Sequence, residues 1–167
     1  SAEKLADAFA KGLGSMAFVA FVIGLAKVIS LVLADGNVIH TIVYVLTKPL
    51  MSLPKSVSSV GLTLIVSVIN PLIPSATSKA AILVPIMKPV AEALGLHLNL
   101  AVVAYQMGDS FTNLLSPLLG WMIGSCIMAE VPFPRWFKWV FPKVITLILL
   151  ACVIVFLLTV TGWTGVI

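Results

Sequence analysis

Charged side chains are scarce in this sequence of 167 residues, which has ten lysines and arginines and six aspartates and glutamates, 10% in all. Hydrophobic residues make up 60%, and the mean hydropathy is +1.18. A soluble domain needs a larger charged surface than this composition supplies. The basic residues stand singly between apolar runs, so the net charge of +4 does not indicate nucleic-acid binding. Lipid is the expected solvent of most of the chain.

Cysteine and histidine are also scarce, with two of each. Cys126 and Cys152 lie in apolar stretches without CxxC or Cys/His spacing, which argues against a metal centre or a disulfide framework. Neither histidine stands in a defensible arrangement with a serine. An intramembrane aspartyl enzyme needs a second aspartate at membrane depth, whereas Asp35 lies at a predicted helix end. We therefore expect no enzyme, and no cofactor other than a coupling ion.

Long apolar runs predict an all-α integral membrane protein with a single membrane domain over 1–167. A spanning helix needs about 20 apolar residues, and Leu13–Leu33, Leu98–Met128 and a last span at about 137–160 meet that requirement. Val38–Leu53 is interrupted by polar residues and prolines, so we expect it to lie at the interface. Aromatic residues typical of membrane interfaces flank these runs at Trp136, Trp139 and Trp163.

A pair of shorter apolar stretches predicts a re-entrant helical hairpin at about 56–94. Ser56–Ile69 and Lys79–Leu94 flank a tip rich in proline and serine, Asn70–Ser78. Irregular backbone is tolerated at membrane depth only where it is buried in protein or lines a wet cavity. The tip is therefore expected to serve a ligand.

Basic residues are unequally divided between the two sides of this topology. Only Lys48 and Lys55 fall on one side, and the side where the chain begins has Lys4, Lys11, Arg135, Lys138 and Lys143. By the positive-inside rule the N-terminus is expected in the cytoplasm and the C-terminus outside, and the expected location is a bacterial inner membrane.

The hairpin tip carries groups that suit an anion. Ser75, Thr77 and Ser78 offer hydroxyls and Asn70 an amide, and the N-terminus of the following helix favours negative charge. Lys79 follows directly and is placed to pair with a substrate carboxylate or with Asp109. The alternative interpretation is ordinary N-cap and turn chemistry.

The long run Leu98–Met128 is interrupted in its middle by Gly108–Asn113, which predicts a broken helix at about 98–128. An aspartate at the centre of a span costs roughly 2.5–3.5 kcal/mol, so Asp109 is a functional candidate. Ser110 and Asn113 add oxygen ligands for a coupling ion, for which sodium at Asp109 is a candidate, and Thr112 and Asn113 are candidates for substrate binding. The alternative is a structural polar cluster.

Both segments carry motifs that are found in a known family. Three segments resemble the ion transporter superfamily: Ile69–Ala81, with its Ser-rich tip and lysine; Tyr105–Asn113, with its Gly-Asp-x-x-Thr-Asn motif; and the loop Val131–Trp136. Within it, the chain is most similar to the YfcC-like and four-carbon dicarboxylate carrier families, and more distantly to the aminobenzoyl-glutamate transporters. The likeness extends from about Phe9 to Trp163 and matches the second half of such a transporter, with the first repeat half missing.

This resemblance implies inverted repeats, two hairpins, two broken helices, a homodimer and an elevator-like movement. Carried over to this chain, the tip would contribute Asn70, Ser75, Thr77 and Ser78, and the broken helix Asp109, Thr112 and Asn113. The expected function is secondary active transport of a small organic anion, dicarboxylate or amino acid, coupled to sodium or protons or run as exchange. A structural or channel-forming membrane subunit is the alternative.

Overall fold

The computed structural model describes residues 2–36, 38–73 and 76–165, and within some helices it describes the backbone but not every side chain. The described residues form helices and turns without strands. The described residues include seven α-helices: α1 Ala2–Asp35, α2 Val38–Thr47, α3 Lys55–Ile69, α4 Ala76–Ala93, α5 Leu98–Thr112, α6 Gly120–Met128 and α7 Phe133–Val160. Short 3-10 turns lie at Lys48–Ser52, Asn70–Leu72 and Asn113–Leu115.

Three stretches among the described residues are long and apolar enough to cross a bilayer, namely Lys55–Leu72, Leu98–Met128 and Phe133–Val160. The all-α membrane fold is thereby confirmed. The first stretch is 18 residues long because the 3-10 turn extends α3, so it is longer than the sequence pattern indicated. The re-entrant path of the hairpin stays a prediction, as does the crossing of Leu13–Leu33 within α1.

The core is built where α3, α5 and α7 pack together. Small and hydroxyl side chains let these helices approach closely, as is usual in membranes. A Cβ at Gly108 of α5 would overlap the carbonyl oxygen of Thr63 and lie 2.8 Å from Val66 Cβ. Between α3 and α7, the hydroxyls of Ser59 and Thr159 are 2.7 Å apart. The end of α3 is therefore held firmly against α5.

The second arm of the hairpin, α4, packs against α2 and α5. It contains Pro85 and Pro89, each of which lacks the N–H that an α-helix needs at an interior position. It ends at Gly95, whose φ of 64° is left-handed, and the N–H of Leu96 bonds to the carbonyl of Ala91 at 2.8 Å. This is a common glycine-based way to close a helix.

The helix over Leu98–Met128 is discontinuous, as predicted, but the break lies later than expected. Gly108–Asn113 was expected to be irregular, whereas α5 continues to Thr112. The interruption comprises the 3-10 turn Asn113–Leu115 and the extended residues that precede α6. Gly108 permits contact with α3, and Pro117 lacks the N–H that would continue the helix.

The last helix begins at Phe133, ahead of the expected 137, and includes the Trp-rich stretch as well as the apolar run. Pro132 and Pro134 suit a helix start, where missing N–H groups have no intrahelical partner anyway. From this first part of α7, Trp136 Nε1 donates to the carbonyl of Leu114 at 3.1 Å. The N-terminal end of α7 thus contacts the break between α5 and α6.

Candidate functional site

The candidate site lies where three chain segments meet: the turn that ends α3, the first residues of α4, and the end of α5. Pro71 cannot donate an N–H to the preceding turn, so α3 gives way to the 3-10 turn Asn70–Leu72. This places Asn70 at the end of α3 with its side chain toward α5. Only 1% of Asn70 is exposed.

The amide of Asn70 connects the hairpin to the helix break. Its Nδ2 faces three oxygens: the Asp109 carbonyl oxygen at 2.7 Å, Thr112 Oγ1 at 2.7 Å and Asn113 Oδ1 at 2.8 Å. The carbonyl of Asp109 needs such a partner, because the N–H of Asn113 bonds to Phe111 instead of continuing the α-helix. The break therefore releases a backbone acceptor, and Asn70 satisfies it.

The ammonium of Lys79 completes the cluster. It donates to Asn70 Oδ1 and forms an ion pair with Asp109 Oδ1. The side chains are 2% and 14% exposed for Lys79 and Asp109. Among the described residues, Asp109 Oδ1 has no other partner than this ammonium. The pair is neutral as a whole, which lowers the cost of placing both charges away from water.

A second connection joins the same segments. Ser116 is 1% exposed, and its hydroxyl donates to the carbonyl of Pro71 at 3.3 Å while accepting the N–H of Leu118 at 3.3 Å. It thereby links the hairpin turn to the residues that follow α5. Ser116 was not predicted from the sequence to belong to the site, although a serine before a proline in an apolar run could have indicated it.

The structure brings together five of the predicted site residues: Asn70, Lys79, Asp109, Thr112 and Asn113. Ser110 is not among them, because it is exposed and its hydroxyl donates to the carbonyl of Gln106 at 2.6 Å. Ser75 lies outside the described residues, and so do the side chains of Thr77 and Ser78, whose backbone belongs to the first turn of α4. Their assignment to the substrate stays a prediction.

A row of hydroxyl side chains on α3 was also not predicted from the sequence. Ser59, Thr63 and Ser67 recur every four residues and are buried. Their hydroxyls donate to carbonyls of their own helix, Thr63 to Ser59 at 3.4 Å and Ser67 to Thr63 at 2.9 Å. Because these hydroxyls bond to carbonyls of α3 and, for Ser59, also to Thr159 of α7, they serve helix packing and offer no free ligands.

The oxygens of the cluster suit a small cation in kind, since carboxylate, carbonyl and hydroxyl oxygens are hard ligands. Each is engaged by a donor of this chain, either Asn70 Nδ2 or Lys79 Nζ. No group of three or more His, Cys, Asp or Glu side chains gathers anywhere in the described part of the chain. A sodium ion that binds Asp109 Oδ1 would have to take the place of the Lys79 ammonium.

A groove of about 380 Å³ lies between α4 and α5, away from the ion pair. Its lining is mostly apolar, including Val84, Leu98 and Val102. The one charged group among its lining residues is Lys88, which is exposed, so no buried charge faces the groove. The ion-pair cluster is the better candidate for binding an anion.

Comparison with known proteins agrees with the resemblance inferred from the two motifs. The chain is 29% identical over 154 residues to an uncharacterized protein of Haemophilus influenzae, covering 92% of this chain and 30% of that protein. It is 26% identical over 139 residues to a protein of Escherichia coli named "Putative basic amino acid antiporter YfcC", covering 80% of this chain and 28% of that protein. The chain thus spans less than a third of the length of either relative.

No solved structure matches the chain significantly. The family described as C4-dicarboxylate anaerobic carrier, DcuC, matches residues 1–160. This match covers α1 to α7 and includes both segments that form the ion-pair cluster. The chain therefore belongs to the C4-dicarboxylate anaerobic carrier family.

Proposed function

We propose that this chain supplies a substrate- and ion-binding part of a secondary active transporter for a small organic anion, dicarboxylate or amino acid. Transport is coupled to sodium or protons or runs as exchange. The observation that carries the proposal is the buried cluster of Lys79, Asp109 and Asn70 where the hairpin meets the helix break. Ionisable residues at membrane depth are costly and are usually retained for transport of ions or substrates.

The chemistry of the cluster supports a carboxylate ligand. Lys79 is a buried cation in the first turn of α4, an 18-residue helix, and a helix N-terminus adds positive potential. Discontinuous helices that meet at mid-membrane are the usual site architecture of secondary transporters. The family description names C4-dicarboxylates, and the name of the Escherichia coli relative refers to basic amino acids.

The remainder of the transporter is part of the same proposal. Because the chain spans 30% and 28% of the two relatives, a first repeat half of inverted topology would complete the site, and a homodimer would support elevator-like movement. The N-terminus of this chain would face the cytoplasm of a bacterial inner membrane and its C-terminus the outside, as the distribution of lysine and arginine suggests.

The proposal is tested by expressing the complete protein that carries this sequence and reconstituting it in proteoliposomes. Uptake and exchange of labelled succinate, aspartate and arginine would be measured with and without a sodium gradient. At least one probe is expected to accumulate against its gradient. A protein that moves none of them, or only lets them equilibrate as a channel would, contradicts the proposal.

A pair of variants connects transport to the site. Thr112→Val removes a hydroxyl that bonds to Asn70, and the loss of one such hydrogen bond is expected to lower uptake by about tenfold. Thr146→Val is the matched control, because Thr146 is exposed on α7 and its hydroxyl bonds only to the carbonyl of Pro142 at 3.0 Å. Equal uptake by the two variants would remove Thr112 from the site.

A further inference from the structure

We propose that the Lys79–Asp109 ion pair separates when ligands bind to the site. A carboxylate then binds Lys79, and at the same time a cationic group binds Asp109. This inference rests on the proposed function and specifies how its site selects a load. The cationic group is either a sodium ion or the ammonium of the substrate itself. The site thus binds a carboxylate together with a cationic group and disfavours either one alone.

The cluster contains one positive and one negative side chain. Among the described residues, Lys79 and Asp109 form the only ion pair in this region. The other ion pair, Lys11–Asp7, lies on the exposed part of α1. A carboxylate that arrives alone must draw the ammonium of Lys79 away and leave Asp109 unpaired. Leaving one partner of a buried pair uncompensated is strongly unfavourable.

The same reasoning applies to a cation. A sodium ion that binds Asp109 alone leaves the ammonium of Lys79 without its counterion at 2% exposure. When both ligands bind, each buried charge regains a partner of opposite sign. Binding of the two is therefore mutually favourable, and the coupling is reciprocal because it is a difference in binding free energy.

Asn70 makes this exchange of partners feasible. Its Oδ1 accepts from Lys79 while its Nδ2 is held by the oxygens of α5. This amide does not depend on the ion pair, so it still holds the ammonium after Asp109 has been released. A positioned ammonium binds an incoming carboxylate without a further ordering cost.

The inference divides substrates by chemistry. A dicarboxylate such as succinate supplies only negative groups and needs a separate cation for Asp109. An amino acid carries a carboxylate and an ammonium, so it loads both positions by itself. Succinate and aspartate share a carbon skeleton and differ by one amino group, which makes them a matched pair of probes.

The test measures equilibrium binding of labelled succinate, aspartate and arginine to the complete purified protein, in sodium-free buffer and after sodium addition. The decisive variant is Asp109→Asn, which keeps an oxygen for Lys79 but removes the competing charge. It is expected to bind succinate without sodium about 5- to 150-fold more tightly than the wild type does, the usual range of coupling between ligands. Lys88→Gln, an exposed lysine on the same helix, is the control and should behave as wild type.

Lys79→Gln is expected to lose succinate binding with or without sodium. Because each single variant leaves one buried charge unpaired and is prone to misfold, the double variant Lys79→Gln/Asp109→Asn is measured beside both, and binding is compared only among variants that elute as folded protein in size-exclusion chromatography. The double variant has a neutral site and no ammonium, so it should fold and still fail to bind succinate. Opposite effects of neutralising the two partners distinguish a charge exchange from a structural pair.

The wild type identifies the source of the cationic group. Succinate binding that sodium strengthens in the wild type but not in Asp109→Asn assigns the cation to sodium. Binding of an amino acid that needs no sodium, with succinate binding only to Asp109→Asn, assigns it to the ammonium of the substrate. If Asp109→Asn leaves succinate binding unchanged or weakens it as Lys79→Gln does, the inference is overturned while the proposed function stands. A wild type and an Asp109→Asn variant that bind no probe overturn both.

Discussion

Replacing Asn70 by alanine is the perturbation that tests most directly whether the hairpin and the helix break form one unit. The side chain is 1% exposed and joins α3 to Lys79 and to the end of α5. Alanine removes the amide and leaves the buried ammonium and the freed carbonyl of Asp109 without this partner. No apolar contact of comparable size compensates for the loss.

The magnitude follows from the bonds lost. A hydrogen bond to a charged group such as the Lys79 ammonium contributes about 1.5–3 kcal/mol. The amide has two hydrogens and so donates two bonds at a time, and interhelical bonds in membranes contribute about 0.6–1.7 kcal/mol each. We expect Asn70→Ala to lower the free energy of unfolding by about 3–6 kcal/mol.

The assay is reversible unfolding of the complete protein in mixed micelles by titration with dodecyl sulfate. Asn99→Ala is the control, because Asn99 is exposed and its amide makes a single bond to the carbonyl of Thr164 at 2.8 Å. This control should lose no more than about 1 kcal/mol. The reasoning is refuted if Asn70→Ala and Asn99→Ala destabilise the protein equally.

Two further substitutions test the contacts that position the site. Gly108→Ala places a Cβ against the carbonyl oxygen of Thr63 and should lower the free energy of unfolding by about 1–3 kcal/mol in the same assay. Gly12→Ala, with nothing within 4 Å of the added Cβ, should be neutral or slightly stabilising. Similar losses in both variants would show that the α3–α5 contact does not matter. Trp136→Phe removes the 3.1 Å bond to the carbonyl of Leu114 and should cost about 0.5–1.5 kcal/mol, so an unchanged unfolding midpoint would show that this bond does not stabilise the break.

The parts of the site that were predictable depend on local chemistry in an apolar background. An aspartate in a spanning helix and a polar tip between two short helices are conspicuous because they are costly in lipid. These signals singled out Asn70, Lys79 and Asp109, and the structure brings all three together. Whether Lys79 faces Asp109 or a substrate was left open by the sequence, since that depends on how α4 packs against α5.

The position of Ser110 outside the cluster has a physical cause. The segment Gly108–Asn113 was interpreted as irregular, so no helical periodicity was applied to it. Because α5 is helical to Thr112, successive side chains turn by about 100°, and Ser110 points away from the face that carries Thr112. The glycine that suggested a break instead permits the approach of Thr63, and a tertiary contact of that kind has no local signature.

The two prolines of α4 give the arms of the hairpin unequal stiffness. Pro85 and Pro89 each remove one rung from the hydrogen-bond ladder of α4, so this helix bends under a smaller load than an uninterrupted one. Its counterpart α3 is braced against α5 by backbone contact at Gly108. Lys79 therefore lies on the more compliant helix, α4, whereas Asp109 lies on α5, which is braced against α3. Bending of α4 would therefore shift the backbone that carries Lys79 relative to Asp109, while the hydrogen bond to Asn70 keeps the ammonium in place.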